Sequence, residues 1–190
     1  MADNNSALVG VGAAGKIYVA PYGTSAPTDA STALPTTTWQ NFGYVSEEGI
    51  VISENAESTE LVSWGGVPVK TTKTKYSEKI AFTPIEVNEV VLKQTYGDDN
   101  VTVIAGSGTT PTKIMASHTS DDLPAVAICV DVVHSDTVKG RYYASNAQLV
   151  ERGDLTLAGT DAAGRELGFQ CNPGTDGKTT MIEFEDILEG

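Results

Sequence analysis

The side chains best suited to chemistry are few in this chain and lie far apart. His118 and His134 are the two histidines, and neither has a second histidine or a cysteine at the spacing of a metal site. Cys129 and Cys171 are the two cysteines, and both lie in apolar strand patterns without the positive charge that activates a thiolate. We expect two reduced cysteines in the core, with one disulfide between them as the alternative. We expect no metal site, no cofactor and no catalytic nucleophile.

Two acidic pairs are the other candidates for chemistry. Asp98-Asp99 and Asp121-Asp122 could act as paired carboxylates or as calcium ligands, but aspartates are also common in turns, which explains both pairs more simply. The sequence has no GxSxG, HExxH or phosphate-loop motif. We therefore predict that the protein is not an enzyme.

The composition limits the partners that the protein can have. The chain has 190 residues and a formal net charge of −13, so it lacks the basic surface that DNA or an anionic membrane would require. No apolar run is long enough to span a membrane, and the first residues lack the basic region of a signal peptide. We expect a soluble protein made in a cytoplasm.

The pattern along the chain predicts a mainly β domain. Glycine is abundant, with 19 residues, and apolar alternation recurs between turn motifs at the spacing of a β-sandwich or barrel. Residues 1–15 are predicted to be a flexible arm, and residues 16–190 to be one domain. The predicted strands cover residues 16–20, 39–46, 50–53, 67–82, 101–105, 112–116, 125–133, 139–145, 147–151, 154–158, 166–172 and 179–185.

One helix is predicted over residues 83–97. Thr83 can cap the helix, Pro84 suits its first position, and Glu86 completes a capping box with Thr83. Gly97 is a suitable C-terminal stop. The apolar stripe of this helix would consist of Val87, Val90 and Val91. Because the helix is short, it must pack against the sheet.

A long hairpin is predicted before this helix. A stretch rich in glutamate at 47–60 is followed by the turn at Trp64, Gly65 and Gly66 and then by a strand rich in lysine at 70–79. Opposite charges that face each other across two strands stabilise the pair. We predict a turn at residues 46–49 and a hairpin long enough to extend beyond the core.

These motifs together resemble those of the major tail protein, or tail tube protein, of bacteriophages with long non-contractile tails. The similarity begins with FGYVSEEGIVIS at 42–53 and continues through WGGVPVKTTKTKYSEKIAFTPIEVNEVVLKQTYG at 64–97. It is looser in NAQLVERGDLTLAGTDAAGRELGFQCNPGTDG at 146–177. No single motif is specific, but their order over residues 39–188 is.

The resemblance implies a fold, an assembly and a set of partners. The fold would be a β-sandwich that closes towards a barrel, with one flanking helix and a long projecting hairpin at residues 53–74 that reaches an adjacent ring. The subunits would form hexameric rings that stack into a tube, and DNA would pass through the channel without specific binding. The expected partners are other copies of this chain, the tape-measure protein, the tail tip or initiator proteins and the tail terminator. The protein would be part of the virion tail, assembled in the cytoplasm of the host bacterium.

The resemblance also suggests roles for surface residues. Contacts between rings would be made by Trp64, Gly65, Gly66, Lys70 and Lys73. Acidic side chains that repel DNA from the channel wall would be Glu47, Glu54, Asp131 and Glu183. The exposed face of the helix would meet a neighbouring subunit through Glu86, Glu89 and Lys93.

Three other classes of protein are weighed against this one. A tube protein of a contractile tail or of a secretion system would share the fold. An immunoglobulin-like adhesion or carbohydrate-binding module would have a secretion signal and a face of exposed aromatic residues, and this chain has only two tryptophans. An enzyme with an unfamiliar site is disfavoured because the sequence has no catalytic motif and its histidines are isolated.

Overall fold

The computed structural model of the chain describes residues 14–109, 111–134, 138–155 and 164–186, and this part is mainly β with one α-helix. The strands are β1 (Ala14–Pro21), β2 (Gln40–Asn41), β3 (Val45–Val62), β4 (Pro68–Pro84), β5 (Val101–Ile104), β6 (Lys113–Ala116), β7 (Val126–Val133), β8 (Val138–Arg152), β9 (Leu167–Cys171) and β10 (Met181–Asp186). The helix α1 (Glu89–Tyr96) is followed by a 3₁₀ turn at Asp98–Asn100. The fold class predicted from the sequence is confirmed.

Eight strands form one antiparallel sheet in the order β2-β1-β7-β8-β9-β4-β3, with β10 also paired to β8. The long strand β8 shares one edge between two partners. Its residues Val138–Tyr143 pair with β10, and its residues Ala147–Arg152 pair with β9. The sheet therefore branches at β8, with β10 beside one half of this strand and β9 beside the other. Strands β5 and β6 form a separate two-stranded sheet.

The main sheet buries side chains on both faces, and its interior strand β7 is apolar on both. Along β7, Val126, Ile128 and Val130 belong to the larger core cluster, while Ala127 and Cys129 belong to a smaller cluster on the opposite face. The larger cluster contains the aromatic residues Phe42, Phe82 and Phe169, and the half-buried Val90 and Val91 of α1 pack against it. The helix thus covers part of this core through Val90 and Val91, as predicted. Val87, the third residue of the predicted stripe, precedes the helix and is 70% exposed.

The helix begins later than its sequence suggests. Thr83 and Pro84 are the last residues of β4, and Pro84 lies opposite Val45 of β3, so the predicted capping box does not form. The cap is Asn88, whose side-chain oxygen accepts a hydrogen bond from the Val91 amide at 2.9 Å. The predicted end at Gly97 is confirmed.

The predicted turn at residues 46–49 is wrong. These residues lie within β3 and form an irregularity, because Val45 pairs with Pro84 but the next pair is Ile50 with Phe82. Gly49 has a φ of 71°, a conformation that other residues rarely adopt, so the strand can bulge here and continue. Gly49 thus allows β3 to continue where the flanking sequence predicts a turn.

Other boundaries also differ from the predictions. The predicted strand at 39–46 contains only the two residues of β2 and the start of β3, because Trp39 and Phe42 leave the strand pattern to enter the two cores. The strands predicted at 139–145 and 147–151 are one strand, β8. Asp154 and Leu155 are not in a strand, and the rest of the strand predicted at 154–158 lies outside the described residues. The strands predicted at 16–20, 101–105, 112–116, 125–133, 166–172 and 179–185 are confirmed, with small shifts at their ends.

Part of the predicted arm belongs to the sheet. Ala14 and Gly15 pair with Val133 and Val132 of β7, and the rest of residues 1–15 lies outside the described residues. In the part of the chain that the structure describes, no helix is long and apolar enough to cross a membrane.

Both cysteines are free and buried, which confirms the expectation of two reduced core residues. Cys129 lies in the smaller core cluster and Cys171 in the larger one, so the sheet separates the two thiols. Burial raises the pKa of each thiol to about 12. Because the thiolate is the reactive form, neither cysteine is a nucleophile at neutral pH.

The raised pKa values predict slow alkylation. At pH 8, we expect both thiols of the native protein to react with iodoacetamide on the order of a thousandfold more slowly than in guanidinium, since about three pH units separate each pKa from its usual value. The measurement is mass spectrometry of timed samples. Ser107→Cys places a thiol at an exposed site and controls for reagent activity. Rapid labelling of native Cys129 or Cys171 would show that the cores open.

Candidate assembly surfaces

The most exposed part of the fold is the outer half of the β3–β4 hairpin. Every residue from 53 to 76 is exposed, so this segment, here called the ribbon, projects into solvent. At about 3.4 Å per residue, its strands extend roughly 30 Å beyond the sheet. A two-stranded ribbon alone is only marginally stable in water, so a ribbon of this length is expected to contact a partner.

The tip of the ribbon presents a tryptophan to solvent. The turn is closed by hydrogen bonds of 2.9 Å from the Ser63 amide to the Val67 carbonyl and from the Gly66 amide to the Ser63 carbonyl. Gly66 has a φ of 78°, which the turn requires. Trp64 has a relative exposure of 107%, so its whole side chain is accessible. Other large apolar side chains exposed on the ribbon are Leu61, Val62, Val67, Val69 and Tyr76.

The root of the ribbon is fixed by a buried carboxylate. Glu78 is only 2% exposed, and it accepts hydrogen bonds of 2.5 Å from the hydroxyls of both Thr179 and Thr180. The Tyr76 hydroxyl donates a longer bond of 3.4 Å to the same carboxylate. Lys79 forms an ion pair with Glu151 of β8. These contacts join Glu78 and Lys79, at the base of the ribbon, to the body of the domain. They therefore fix the direction in which the ribbon projects.

The predicted charge pairing across the hairpin is only partly present. Glu57 and Lys75 face each other, with 3.6 Å between carboxylate and ammonium. The Lys73 ammonium lies 3.9 Å from the centre of the Tyr76 ring. The register places Glu54 opposite Glu78 and Glu60 opposite Thr71, so the other glutamates do not face lysines.

The four acidic residues predicted to face a channel lie in two different settings. Glu47 and Glu54 are exposed on β3. Asp131 and Glu183 lie on either side of Arg141 in one row across the sheet, and Lys16 lies on the other side of Asp131. The row therefore alternates in charge, and the Asp131 carboxylate accepts hydrogen bonds of 2.6 Å and 2.9 Å from the Arg141 guanidinium.

Arg141 is a buried charged residue whose contacts the sequence does not indicate. It is 2% exposed, and it also donates hydrogen bonds to the backbone carbonyls of Asp29 and Thr32. Tyr143 donates a hydrogen bond to the carbonyl of Thr24. Burial opposes the charge of Arg141, but the bonds to Asp131 outweigh it, so that the pKa of Arg141 is raised above its usual value. The two side chains hold the loop of residues 22–39 against the sheet.

The same loop contains its own stabilised turn. The Asp29 carboxylate accepts hydrogen bonds from the amides of Thr32 and Ser31, and these bonds, with the Thr32 hydroxyl, lower the pKa of Asp29 to about 2. A depressed pKa means that the bonds persist at neutral pH and are lost only as the pH falls towards 2. This segment looks featureless in the sequence but covers the smaller core in the structure.

The three residues assigned to the helix face have different local contacts. Glu89 and Lys93 form an ion pair on the helix at 2.7 Å, which raises the pKa of Lys93 through the hydrogen bond with Glu89. Glu86 precedes the helix and lies against Gly43 and Asn88. Glu89 and Lys93 thus satisfy each other within the subunit.

The two acidic pairs share one cleft, and the two histidines pack against aromatic rings. Asp98, Asp99, Asp121 and Asp122 line the same cleft. Even so, no group of histidine, cysteine, aspartate or glutamate side chains in the described ranges could hold a metal ion. His118 stacks on Tyr96 with ring centres 4.2 Å apart, and His134 lies beside Phe184 at 5.2 Å.

Comparison with known families decides what kind of protein carries these surfaces. The family model for phage tail tube proteins matches residues 1–184. The chain belongs to the phage tail tube protein family. It is therefore a structural component of a phage tail, which confirms the tail tube assignment made from the sequence motifs and disfavours the adhesion-module and enzyme alternatives.

Comparisons of this tail tube protein with curated proteins and with solved structures find only a remote structural similarity. No curated protein matches its sequence. Among solved structures, it is similar to the sheath/tube terminator of an extracellular contractile injection system, PVC, in the extended state. The two chains are 9% identical, the similarity covers 89% of this chain and 92% of the other, and the TM-score is 0.45.

Proposed function

We propose that this tail tube protein polymerises as stacked hexameric rings into the tube of a long non-contractile tail, through which DNA passes into the host. The observation that carries the proposal is the ribbon, an exposed extension with an accessible tryptophan at its tip. The tip, formed by Trp64, Gly65 and Gly66 with Lys70 and Lys73 nearby, contacts the adjacent ring. Tape-measure, initiator and terminator proteins are its further partners in the virion tail.

The acidic composition suits a channel that must not bind DNA. DNA carries one negative charge per about 1.7 Å of its axis, so an acidic wall repels it. Glu47 and Glu54 are exposed and would supply this repulsion directly. Asp131 and Glu183 would contribute less, because Arg141 lies between them and the Asp131 carboxylate is already paired. A tube reconstruction with a basic or apolar channel would refute this part of the proposal.

Substitution of the tip tryptophan tests the contact between rings. We expect Trp64→Ala to leave the midpoint of thermal unfolding within about 2 °C of wild type, since the side chain is fully exposed. We expect the concentration needed for tube formation to rise by at least about tenfold, because buried tryptophans dominate protein interfaces. Electron microscopy and pelleting of concentrated protein measure both the tubes and the remaining subunit.

A matched control is Tyr22→Ala, which removes an exposed aromatic side chain away from the ribbon. Tubes that form equally well with Trp64→Ala and with wild type would refute the role of the tip. Wild-type tubes seen only inside a contractile sheath would assign the chain to the other class of tail.

A further inference from the structure

The loop of residues 22–39 is held on the sheet mainly by side chains of one strand. In the described residues, the backbone of 23–38 makes a single hydrogen bond to a strand, at the very start of the loop, where the Thr24 amide donates to the last carbonyl of β1. The remaining bonds to the sheet are donated by Arg141 and Tyr143 of β8, and the loop accepts them through the carbonyls of Thr24, Asp29 and Thr32.

The loop buries little apolar surface of its own. Within residues 22–38, which the structure describes in full, only Ala30 is buried, and Leu34 is a partly buried residue that packs on the smaller core cluster. Trp39 is also buried, but it adjoins Gln40, which pairs with Val19 of β1, so the sheet fixes it independently of the rest of the loop. Hydrophobic burial therefore holds residues 22–38 far less firmly than it holds the strands.

The buried charge of Arg141 does not depend on the loop for its compensation. Its carboxylate partner, Asp131, lies on the neighbouring strand β7 and accepts bonds of 2.6 Å and 2.9 Å from the guanidinium. If the loop moves away, this ion pair stays within the sheet, and water can replace the two carbonyls on the guanidinium. The guanidinium regains hydration that the loop denies it, which offsets part of the cost of opening.

We propose that the loop of residues 22–39 opens as a unit while the sheet stays folded, and that this opening uncovers the smaller core cluster with Cys129 and Arg141. Proteins open locally in cooperative units, and segments with few buried apolar contacts open at the lowest free energy. The loop covers one core only, since Cys171 and the larger cluster lie on the opposite face of the sheet. The opening is a property of the single subunit and does not rest on the proposed tube.

The two cysteines report two different openings. Cys129 is 0% exposed in the core beneath the loop, and Cys171 is 2% exposed in the larger core. Burial raises the pKa of both thiols to about 12, so the two are matched in their chemical protection. Opening of the loop gives a reagent access to Cys129, whereas access to Cys171 requires the larger core to open.

Loss of one bond between loop and sheet tests the cover. Tyr143→Phe removes the hydroxyl that bonds to Thr24 and keeps a ring in place beside Trp39. In dilute protein with iodoacetamide at pH 8, we expect Cys129 to be alkylated about three- to tenfold faster than in wild type, because the closed state alone loses a hydrogen bond. Mass spectrometry of timed samples measures the rate. The matched control is Tyr142→Phe, which removes a hydroxyl on the opposite face of β8 and should leave the rate at Cys129 within about twofold.

Weakening of the larger core gives the deciding result. Phe169 lies in the larger cluster, which stays packed when only the loop opens. We therefore expect Phe169→Ala to speed alkylation of Cys171 by at least about tenfold and to leave the rate at Cys129 within about twofold. If the loop opened only when the whole domain unfolds, Phe169→Ala would speed both cysteines by the same factor, and this outcome would refute the inference. An unchanged rate at Cys129 in Tyr143→Phe would refute it too.

Failure of this inference can be distinguished from failure of the proposed function. The alkylation rates are measured on dilute subunits, and tube formation is measured on concentrated protein. Equal acceleration of the two cysteines by Phe169→Ala would overturn the local opening even where wild-type protein forms tubes. A failure of wild-type protein to form tubes would count against the tube and would leave the alkylation result as it stands.

Discussion

Replacement of Asp131 by alanine is expected to lower the free energy of unfolding by roughly 3 kcal/mol, at the lower end of the range for breaking a buried ion pair. The Arg141 guanidinium is almost fully buried, and without Asp131 its charge would be left with two backbone carbonyls as its described hydrogen-bond partners. The lower end applies because the Asp131 side chain is 26% exposed, so that water can partly replace it. Urea denaturation followed by circular dichroism measures the change.

Two further variants separate charge from packing at this site. Asp121→Ala removes an exposed aspartate and should change the stability by less than about 0.5 kcal/mol. Asp131→Leu combined with Arg141→Met removes both charges and should recover most of the loss, as apolar replacements of buried pairs do. If Asp131→Ala cost less than about 1 kcal/mol, Arg141 would have to be hydrated in solution.

Asp131→Ala should also release the loop of residues 22–39. Arg141 holds this loop through the carbonyls of Asp29 and Thr32, and Asp131 fixes the direction of the guanidinium. The loop covers the smaller core, where Trp39 and Tyr143 meet edge to face. Faster proteolysis within the loop would therefore accompany the loss of stability.

The sequence predicts the strands well because their pattern depends on local alternation. The long hairpin is correctly placed because Trp64, Gly65 and Gly66 form a turn between two extended stretches. The start of the helix is wrong for a physical reason. Thr83 and Pro84 satisfy the local rules for a helix start, but pairing with β3 keeps the strand extended through Pro84, and Asn88 becomes the cap.

Local sequence patterns do not predict the contacts of the loop of residues 22–39. Arg141 is separated from Asp29 and Thr32 by more than a hundred residues, and a lone arginine in a strand does not indicate what it will bond. The predicted roles in assembly have a different limit. Whether Glu47 or Glu54 faces a channel depends on how subunits are placed, which the fold of one chain does not determine.

Phe169→Ala is expected to destabilise the domain by roughly 3–5 kcal/mol, the usual cost of removing a buried phenylalanine. Phe169 is 1% exposed, stacks on Phe82 with ring centres 5.8 Å apart, and meets Phe42 edge to face at 6.4 Å. These three rings come from β9, β4 and the segment before β3, so the cavity would loosen the packing between the root of the hairpin and the rest of the sheet.

Phe184→Ala is the matched control for the core substitution. Phe184 is 53% exposed on β10, so its removal should cost less than about 1 kcal/mol. Urea denaturation of both variants measures the difference. Phe169 touches none of the proposed assembly surfaces, so Phe169→Ala should lower the stability of the subunit while tubes formed below its unfolding temperature keep the wild-type diameter. A changed diameter would mean that the core sets the ring geometry, and a loss of stability similar to that of Phe184→Ala would mean that the aromatic cluster is loosely packed.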